Sequence, residues 1–263
     1  MDATQAWAAS ELLVRHWRSG TVLDALPEQL RPATRAEGYA IQAELEKLSA
    51  KPLWGWKIAA TSTAGQRHIG VDGPLAGRLL AEMVHAAGAT LPFGANRMRV
   101  AEAEFAFRMA RDLPPRAEAY TVEEVLDAVA ALHTAIEVPD SRFVDFVTAG
   151  AAQLLADNAC AHQFVLGPAA PATWRDMDLA AHRVTGRVTG RFEREGVGAN
   201  VLGDPRIALA WLANELSRHG MTLAAGQVVT TGTCLVPMDV APGDEVEVEY
   251  GALGRVGIRF AAA

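Results

Sequence analysis

The chain opens with apolar residues at helical spacing. Trp7, Leu12, Leu13 and Trp17 fall on one stripe before Gly20, which predicts an amphipathic helix that stops at that glycine. A second helix is expected behind Thr34-Arg35-Ala36-Glu37, where a hydroxyl and a carboxylate three residues apart satisfy each other's backbone N–H groups. From Leu53 the texture changes to short apolar runs broken by Gly70, Gly73, Pro74, Gly77, Gly88, Pro92 and Gly94, the mark of strands joined by tight loops. Two further helices are predicted. One runs from Val122 to His133 behind a Thr121/Glu124 capping box; the other has Asp204 as N-cap and Pro205 at its first position, and stops at Gly220. Near the end, Val246, Val248 and Tyr250 alternate with Glu245, Glu247 and Glu249 before Gly251 and Gly254 turn the chain into a last strand, Arg255 to Phe260. Strands and helices do not alternate regularly, which disfavours a doubly wound parallel sheet. The pattern predicts an α+β protein, with a helical N-terminal segment over residues 1–52 followed by a strand-rich domain over 53–263.

Composition narrows the function classes. With 24 basic and 31 acidic residues the formal charge is −7, and no run of basic residues supplies a nucleic-acid-binding face. Half of the 263 residues are apolar, enough to bury a sizeable core and to exclude disorder as the main state. Met1-Asp2-Ala3-Thr4 begins acidic, and the apolar positions behind it are interrupted by Ser10, Glu11 and Arg15, so no targeting signal is expected. No apolar stretch reaches the ~18 residues that span a bilayer, so the expectation is a cytoplasmic protein with no membrane partner. Cys160 and Cys234 stand far apart and read as buried thiols, not as a disulfide framework or a thiolate metal site. Only three lysines, Lys47, Lys51 and Lys57, stand against 21 arginines, which draws attention to each.

The chemistry concentrates in Val100-Ala101-Glu102-Ala103-Glu104-Phe105-Ala106-Phe107. On a strand, Glu102 and Glu104 share one face, and Phe105 and Phe107 share the other. Their neighbours on the acidic face, Val100 and Ala106, are apolar, and burying two like charges raises at least one pKa unless a cation lies between them. Glu137 is a third acid among apolar residues, in Ala135-Ile136-Glu137-Val138-Pro139. Three carboxylates without a nearby His or Cys describe a hard oxygen site for Mg²⁺ or Mn²⁺ better than one for zinc. A Glu-x-Glu strand is equally the pattern of an ordinary solvated face, as Glu245, Glu247 and Glu249 read, so spacing alone leaves both readings open. Lys57, between Trp56 and Ile58, is either a partly desolvated proton donor or a snorkelling surface lysine. Thr61 and Ser62 can bind a substrate carboxylate or cap a helix, His68 reads as a packing or surface residue, and Asp72 in Gly-Val-Asp-Gly-Pro reads as a turn former.

Six elements occur in order: Lys57-Ile58-x-x-Thr61-Ser62, Gly70-Val71-Asp72-x-Pro74, Glu102-Ala103-Glu104-Phe105-Ala106-Phe107, Ile136-Glu137-Val138-x-Asp140-Ser141-Arg142, Ala156-Asp157-Asn158-Ala159, and Pro242-Gly243-Asp244 with Gly251-x-Leu253-Gly254. From about Ala3 to Phe260 the chain resembles the 2-keto-4-pentenoate (2-hydroxypentadienoate) hydratase and 4-oxalocrotonate decarboxylase branch of the fumarylacetoacetate hydrolase superfamily. The resemblance implies a mixed β-roll with a helical N-terminal segment, and Mg²⁺ or Mn²⁺ held by Glu102, Glu104 and Glu137. It implies a short 2-oxo acid chelated through its 1-carboxylate and 2-oxo oxygens. Lys57 and Asp72 match positions of proton handling and active-site wall, and Ser62 with the Thr230-Thr231-Gly232-Thr233 strand end, Thr231 and Gly232 foremost, are the candidate substrate cradle. The implied reaction is addition of water to a 2-hydroxy-2,4-dienoate, giving a 4-hydroxy-2-oxo acid through an enolate. Decarboxylation of a vinylogous 2-oxo diacid is the alternative. An acylpyruvate C–C hydrolase would need a His-Glu pair that the sequence does not offer, and a non-catalytic partner subunit would not retain three converging acids. A homo-oligomer is expected, with a decarboxylase or hydratase as a possible associate. The chain departs from the branch at Ala59-Ala60 and at Thr233-Cys234-Leu235-Val236-Pro237-Met238, which leaves the substrate side chain open.

Overall fold

The structure is a computed structural model describing residues 1–262. Its helices are α1 (Ala3–Ser19), α2 (Arg35–Ala43), α3 (Leu45–Leu48), α4 (Thr63–His68), α5 (Val122–Asp127), α6 (Ala151–Ala156) and α7 (Pro205–Arg218). The strands are β1 (Leu53–Ala59), β2 (Leu75–Leu80), β3 (Val84–Ala86), β4 (Thr90–Leu91), β5 (Val100–Met109), β6 (Val129–Val138) and β7 (Gln163–Ala169), then β8 (Arg183–Val188), β9 (Phe192–Val197), β10 (Val228–Thr233), β11 (Met238–Asp239), β12 (Glu245–Glu249) and β13 (Arg255–Phe260). One sheet runs β2-β1-β10-β5-β6-β7-β3 with β11 added on β5; the other runs β4-β13-β12-β8-β9. Parallel and antiparallel pairs mix within both sheets, so neither is the all-parallel sheet that successive βαβ units build.

The expected capping signals form. Thr34/Glu37 and Thr121/Glu124 close as reciprocal boxes, and Asp204 accepts from the Arg206 N–H with Pro205 at the first helical position. The predicted helix over 122–133 needs correction. It ends at Asp127, and Val129–Val138 is a strand paired with β5 over eight residue pairs. Local periodicity loses there to the ladder, which buries Val129, Leu132 and Ile136 in the sheet. On α1 the buried face is Ala6, Ala9, Ser10, Leu13 and Val14, while Trp7 is 36 % exposed, so the buried stripe is rotated away from that tryptophan. That face packs with Ile41, Phe143 and Ala156.

The closing hairpin β12–β13 forms as expected, with Glu245 and Glu249 exposed and Arg259 and Arg255 as their partners across the strands. Tyr250 leaves the strand and is fully buried. Its ring meets Phe105 edge-on at 5.4 Å, and Phe107 meets Trp174 at 5.8 Å, so the aromatic face of β5 fills the core between the sheets. Both cysteines are free and buried. Among the described residues, no helix is long and apolar enough to cross a membrane.

Candidate metal centre and active site

Because β5 alternates its faces, Glu102 and Glu104 project away from the aromatic core. β6 places Glu137 directly opposite Glu102, and ligand oxygens of the three acids lie within 4.8 Å of one another. On the other side of β5, the β10 ladder breaks between Thr230 and Thr233. Gly232 takes φ +97° at that break, where a Cβ would stand 2.1 Å from Thr61 Oγ1, so only glycine fits. Its N–H donates to Glu104 Oε2 at 2.8 Å, and the Thr230 hydroxyl donates to the same oxygen. The Tyr250 hydroxyl lies between the backbone carbonyls of Glu104 and Ala135, 2.9 and 3.0 Å away, fastening the two acid-bearing strands from behind.

β1 brings Lys57 opposite Thr230. The ammonium lies 3.1 Å from Glu137 Oε1 and donates to the Ala159 carbonyl at 3.0 Å, with the side chain 3 % exposed. This disposes of the surface-lysine alternative. Burial alone would lower the Lys57 pKa, but Glu137, Glu102 and Glu104 outweigh it and hold the amine protonated beyond its ordinary range. Burial, the Glu137 charge and opposition from Lys57 leave the Glu102 carboxyl pushed up to about 7. Glu104 is raised further by burial and by its two acidic neighbours, and Glu137 is raised by burial against the pull of Lys57.

The acids fit a divalent ion. Three carboxylates against one ammonium leave two negative charges to cancel, and Glu104 Oε1 and Glu137 Oε2 are buried without a hydrogen-bond partner. The donor set is oxygen throughout, which suits Mg²⁺ or Mn²⁺ and not a thiolate-seeking metal. Glu102, Glu104 and Glu137 would hold it.

Above this cluster opens a cleft of about 1020 Å³, with Lys57 and Glu102 at its floor. Ser62 lines it and caps α4 by accepting the Gly65 N–H at 3.0 Å, so both sequence readings of this hydroxyl are compatible with its place. Gly232 also lines the cleft, but its N–H serves Glu104. Thr231 is fully buried and its hydroxyl donates to the Phe105 carbonyl at 2.9 Å, on the backbone of β5. Asp72 lies outside the cleft. Its side chain is 86 % exposed and ion-paired with Arg35 at 3.0 Å, because the turn that carries it runs over the surface beside α2. Thus the fold brings together Lys57, Glu102, Glu104, Glu137, Ser62 and Gly232, and sets Thr231 and Asp72 apart. Thr230, expected in the substrate cradle, instead holds Glu104, and sequence reasoning missed the Tyr250 hydroxyl and the Ala159 carbonyl. For Ala159 the signal was its place in the Ala156-Asp157-Asn158-Ala159 element; for Tyr250 there was none.

The chain is similar along nearly its whole length to known proteins. It is 38 % identical over 245 residues to the 2-keto-4-pentenoate hydratase of Burkholderia vietnamiensis (strain G4 / LMG 22486), covering 92 % of each chain. It is 31 % identical over 235 residues to the 2-oxo-hept-4-ene-1,7-dioate hydratase of Escherichia coli, covering 86 % of this chain and 87 % of the other. Among solved structures it superposes on 4-oxalocrotonate decarboxylase from Pseudomonas putida G7, complexed with magnesium and adipate, with a TM-score of 0.89 at 27 % identity over 99 % of this chain and 98 % of that one. The profile of the fumarylacetoacetate (FAA) hydrolase C-terminal family matches residues 80–261, a span that includes the three acids and the strands that converge them. The acid cluster, the mixed sheets and these matches agree: the chain belongs to the fumarylacetoacetate hydrolase family.

Proposed function

We propose that the protein is a divalent-metal-dependent lyase that hydrates a 2-hydroxy-2,4-dienoate to a 4-hydroxy-2-oxo acid. Glu102, Glu104 and Glu137 would hold Mg²⁺ or Mn²⁺, which would supply Lewis-acid stabilisation of the charge on a 2-oxo acid's enolate. The chain's own groups supply the rest. Lys57, kept as an ammonium by its acidic neighbours, is the proton carrier at the cleft floor, delivering from Nζ. Ketonisation places its proton on C5, after which the conjugated 2-oxo-3-enoate accepts water at C4. Thr230 and Gly232 fix Glu104 so that its other oxygen stays free.

The observation that carries this reading over decarboxylation of a diacid is the make-up of the cleft. Beyond the acid cluster Leu75, Met98, Phe146, Leu154, Leu202 and Val236 give the cleft an apolar side, Thr61, Gln66, His68 and Asn200 give it a polar one, and among the described residues no arginine lines it. A second carboxylate there would find hydrogen-bond partners but no arginine or second lysine to pair its charge, so its desolvation would be offset only in part. A dienoate with a neutral, apolar substituent meets no such cost, and the large cleft leaves space for one.

The test is to incubate the Mg²⁺-loaded protein with 2-hydroxypentadienoate and, separately, with oxalocrotonate, following dienol absorbance and CO₂ release. Loss of absorbance from the monoacid without CO₂ from the diacid is expected. CO₂ release from oxalocrotonate without hydration of the monoacid would replace the reading by the decarboxylase.

A further inference from the structure

Between α6 and β7 the backbone does something costly. Asn158, Ala159 and Cys160 take φ values of +56°, +50° and +60°, three consecutive residues with side chains in the left-handed region that glycine favours. Such a run persists only where its surroundings over-determine it, and it concentrates at functional sites.

Here it is held from two sides. The Asn158 side chain clasps the backbone of β2, accepting the Arg78 N–H on Oδ1 at 2.6 Å and donating from Nδ2 to the Arg78 carbonyl at 2.9 Å. On the other side Asp157, 1 % exposed, accepts the Ser141 hydroxyl at 2.7 Å and the Arg142 N–H at 3.0 Å, and pairs with the Arg142 guanidinium. The turn is therefore pinned to β2 and to the segment that leaves β6 just after Glu137. Gly77 makes room for it: a Cβ there would meet the Asn158 carbonyl at 2.4 Å and the Lys57 side chain at 3.1 Å. What the turn delivers is the Ala159 carbonyl, 3.0 Å from Lys57 Nζ, while Ala159 and Cys160 line the cleft. An ordinary right-handed turn would not present that carbonyl along this path.

We propose that Asn158 is a positioning residue: by clasping β2 it locks the left-handed turn whose Ala159 carbonyl holds the Lys57 ammonium against Glu137 at the cleft floor. The inference rests on Lys57 serving the reaction, as proposed above. It assigns a task to the Ala156-Asp157-Asn158-Ala159 element, which otherwise contributes no side chain to the acid cluster.

Asn158→Gly keeps the left-handed backbone accessible and removes both clasping bonds, so it separates the clasp from the conformation. Expected is a fall in kcat of about tenfold or more with KM within twofold, since sub-ångström misplacement of a reacting group is felt in the chemical step. The thermal shift produced by Mg²⁺ alone should persist, because Glu102, Glu104 and Glu137 are untouched. In a Lys57→Ala background the same change should cost no further activity. A readout independent of turnover comes from the lysine count: with only Lys47, Lys51 and Lys57 in the chain, reductive methylation followed by mass spectrometry resolves each. Lys57 should react faster in Asn158→Gly than in wild type, with Lys47 and Lys51 unchanged. Should the glycine variant fail to fold, Asn158→Asp, which keeps the Arg78 N–H acceptor and loses the donor, carries the same measurements. An unchanged Lys57 reaction rate, or an equal loss of kcat with and without Lys57, overturns the proposal. Wild-type turnover by Lys57→Ala would instead overturn the role of Lys57 itself, and this inference with it.

Discussion

Glu102 and Glu137 face each other directly across the antiparallel pair β5–β6, a position where two ionised carboxylates repel at short range. The fold tolerates the pair because Lys57 leans on Glu137 and because the acids hold their protons to unusually high pH. The charge that Lys57 leaves uncancelled is relieved by protonation or by a further cation between the strands.

A pH dependence of known sign follows. In the fold Glu102 keeps its proton up to about pH 7, against an ordinary value of 4.5, so its contribution to stability is complete below the ordinary value and is lost as pH rises through about 7. Metal-free protein should therefore melt at progressively lower temperature over that window. Mg²⁺ competes with those protons, so its thermal stabilisation should grow as pH rises. Melting curves with chelator and with Mg²⁺ across the window check this; a Mg²⁺ effect independent of pH would contradict the burial of the acids.

Glu104→Gln keeps the shape of the side chain and removes a ligand charge. We expect the metal-induced thermal shift to be lost and turnover to drop by about 10²-fold or more. The metal-free variant should melt no lower than wild type, because one member of a repelling trio is gone. Differential scanning fluorimetry with and without Mg²⁺, beside the dienol assay, reads both.

Lys57→Met replaces the ammonium by an apolar side chain of similar length. A fall in kcat of about 10²- to 10⁴-fold is expected for loss of a proton-transfer group. Metal should still bind, since the three ligands remain. Near-normal turnover would remove Lys57 from the chemistry.

How much of this was legible beforehand depends on the range of the interaction. Alternation along β5 is a local property, and it put Glu102 and Glu104 on one face and the phenylalanines on the other without any knowledge of the fold. Capping boxes are equally local, and Thr34, Thr121 and Asp204 start helices where expected. Val129–His133 could not be read in this way, because four of the eight cross-strand pairs between β6 and β5 decide its state and the partner lies some twenty residues earlier. Asp72 faces outward on a surface turn, where its carboxylate pairs with Arg35 at the start of α2, a neighbour 37 residues earlier that local sequence does not reveal. Thr230 holds Glu104 only because the ladder breaks beside it, an event with no signature beyond the glycine two residues on.

Gly232→Ala tests that break. The new methyl would collide with Thr61 Oγ1, and φ +97° is strained for any residue with a Cβ. Destabilisation by about 2 kcal/mol or more is expected, with a weakened response to Mg²⁺, both measurable by denaturant unfolding.

Tyr250→Phe removes one hydroxyl from a fully buried site and leaves the Glu104 and Ala135 carbonyls without it. A loss of about 1–3 kcal/mol is expected in the same assay, from unmade hydrogen bonds and not from packing.

Where β10 parts from its neighbour, a backbone amide has exchanged its rung in the sheet for a seat on a side-chain oxygen. The Gly232 proton thus senses Glu104 itself. Its resonance should differ according to whether that acid is neutral, charged or coordinated, so the skeleton of the protein contains its own spectroscopic gauge of what the active site holds.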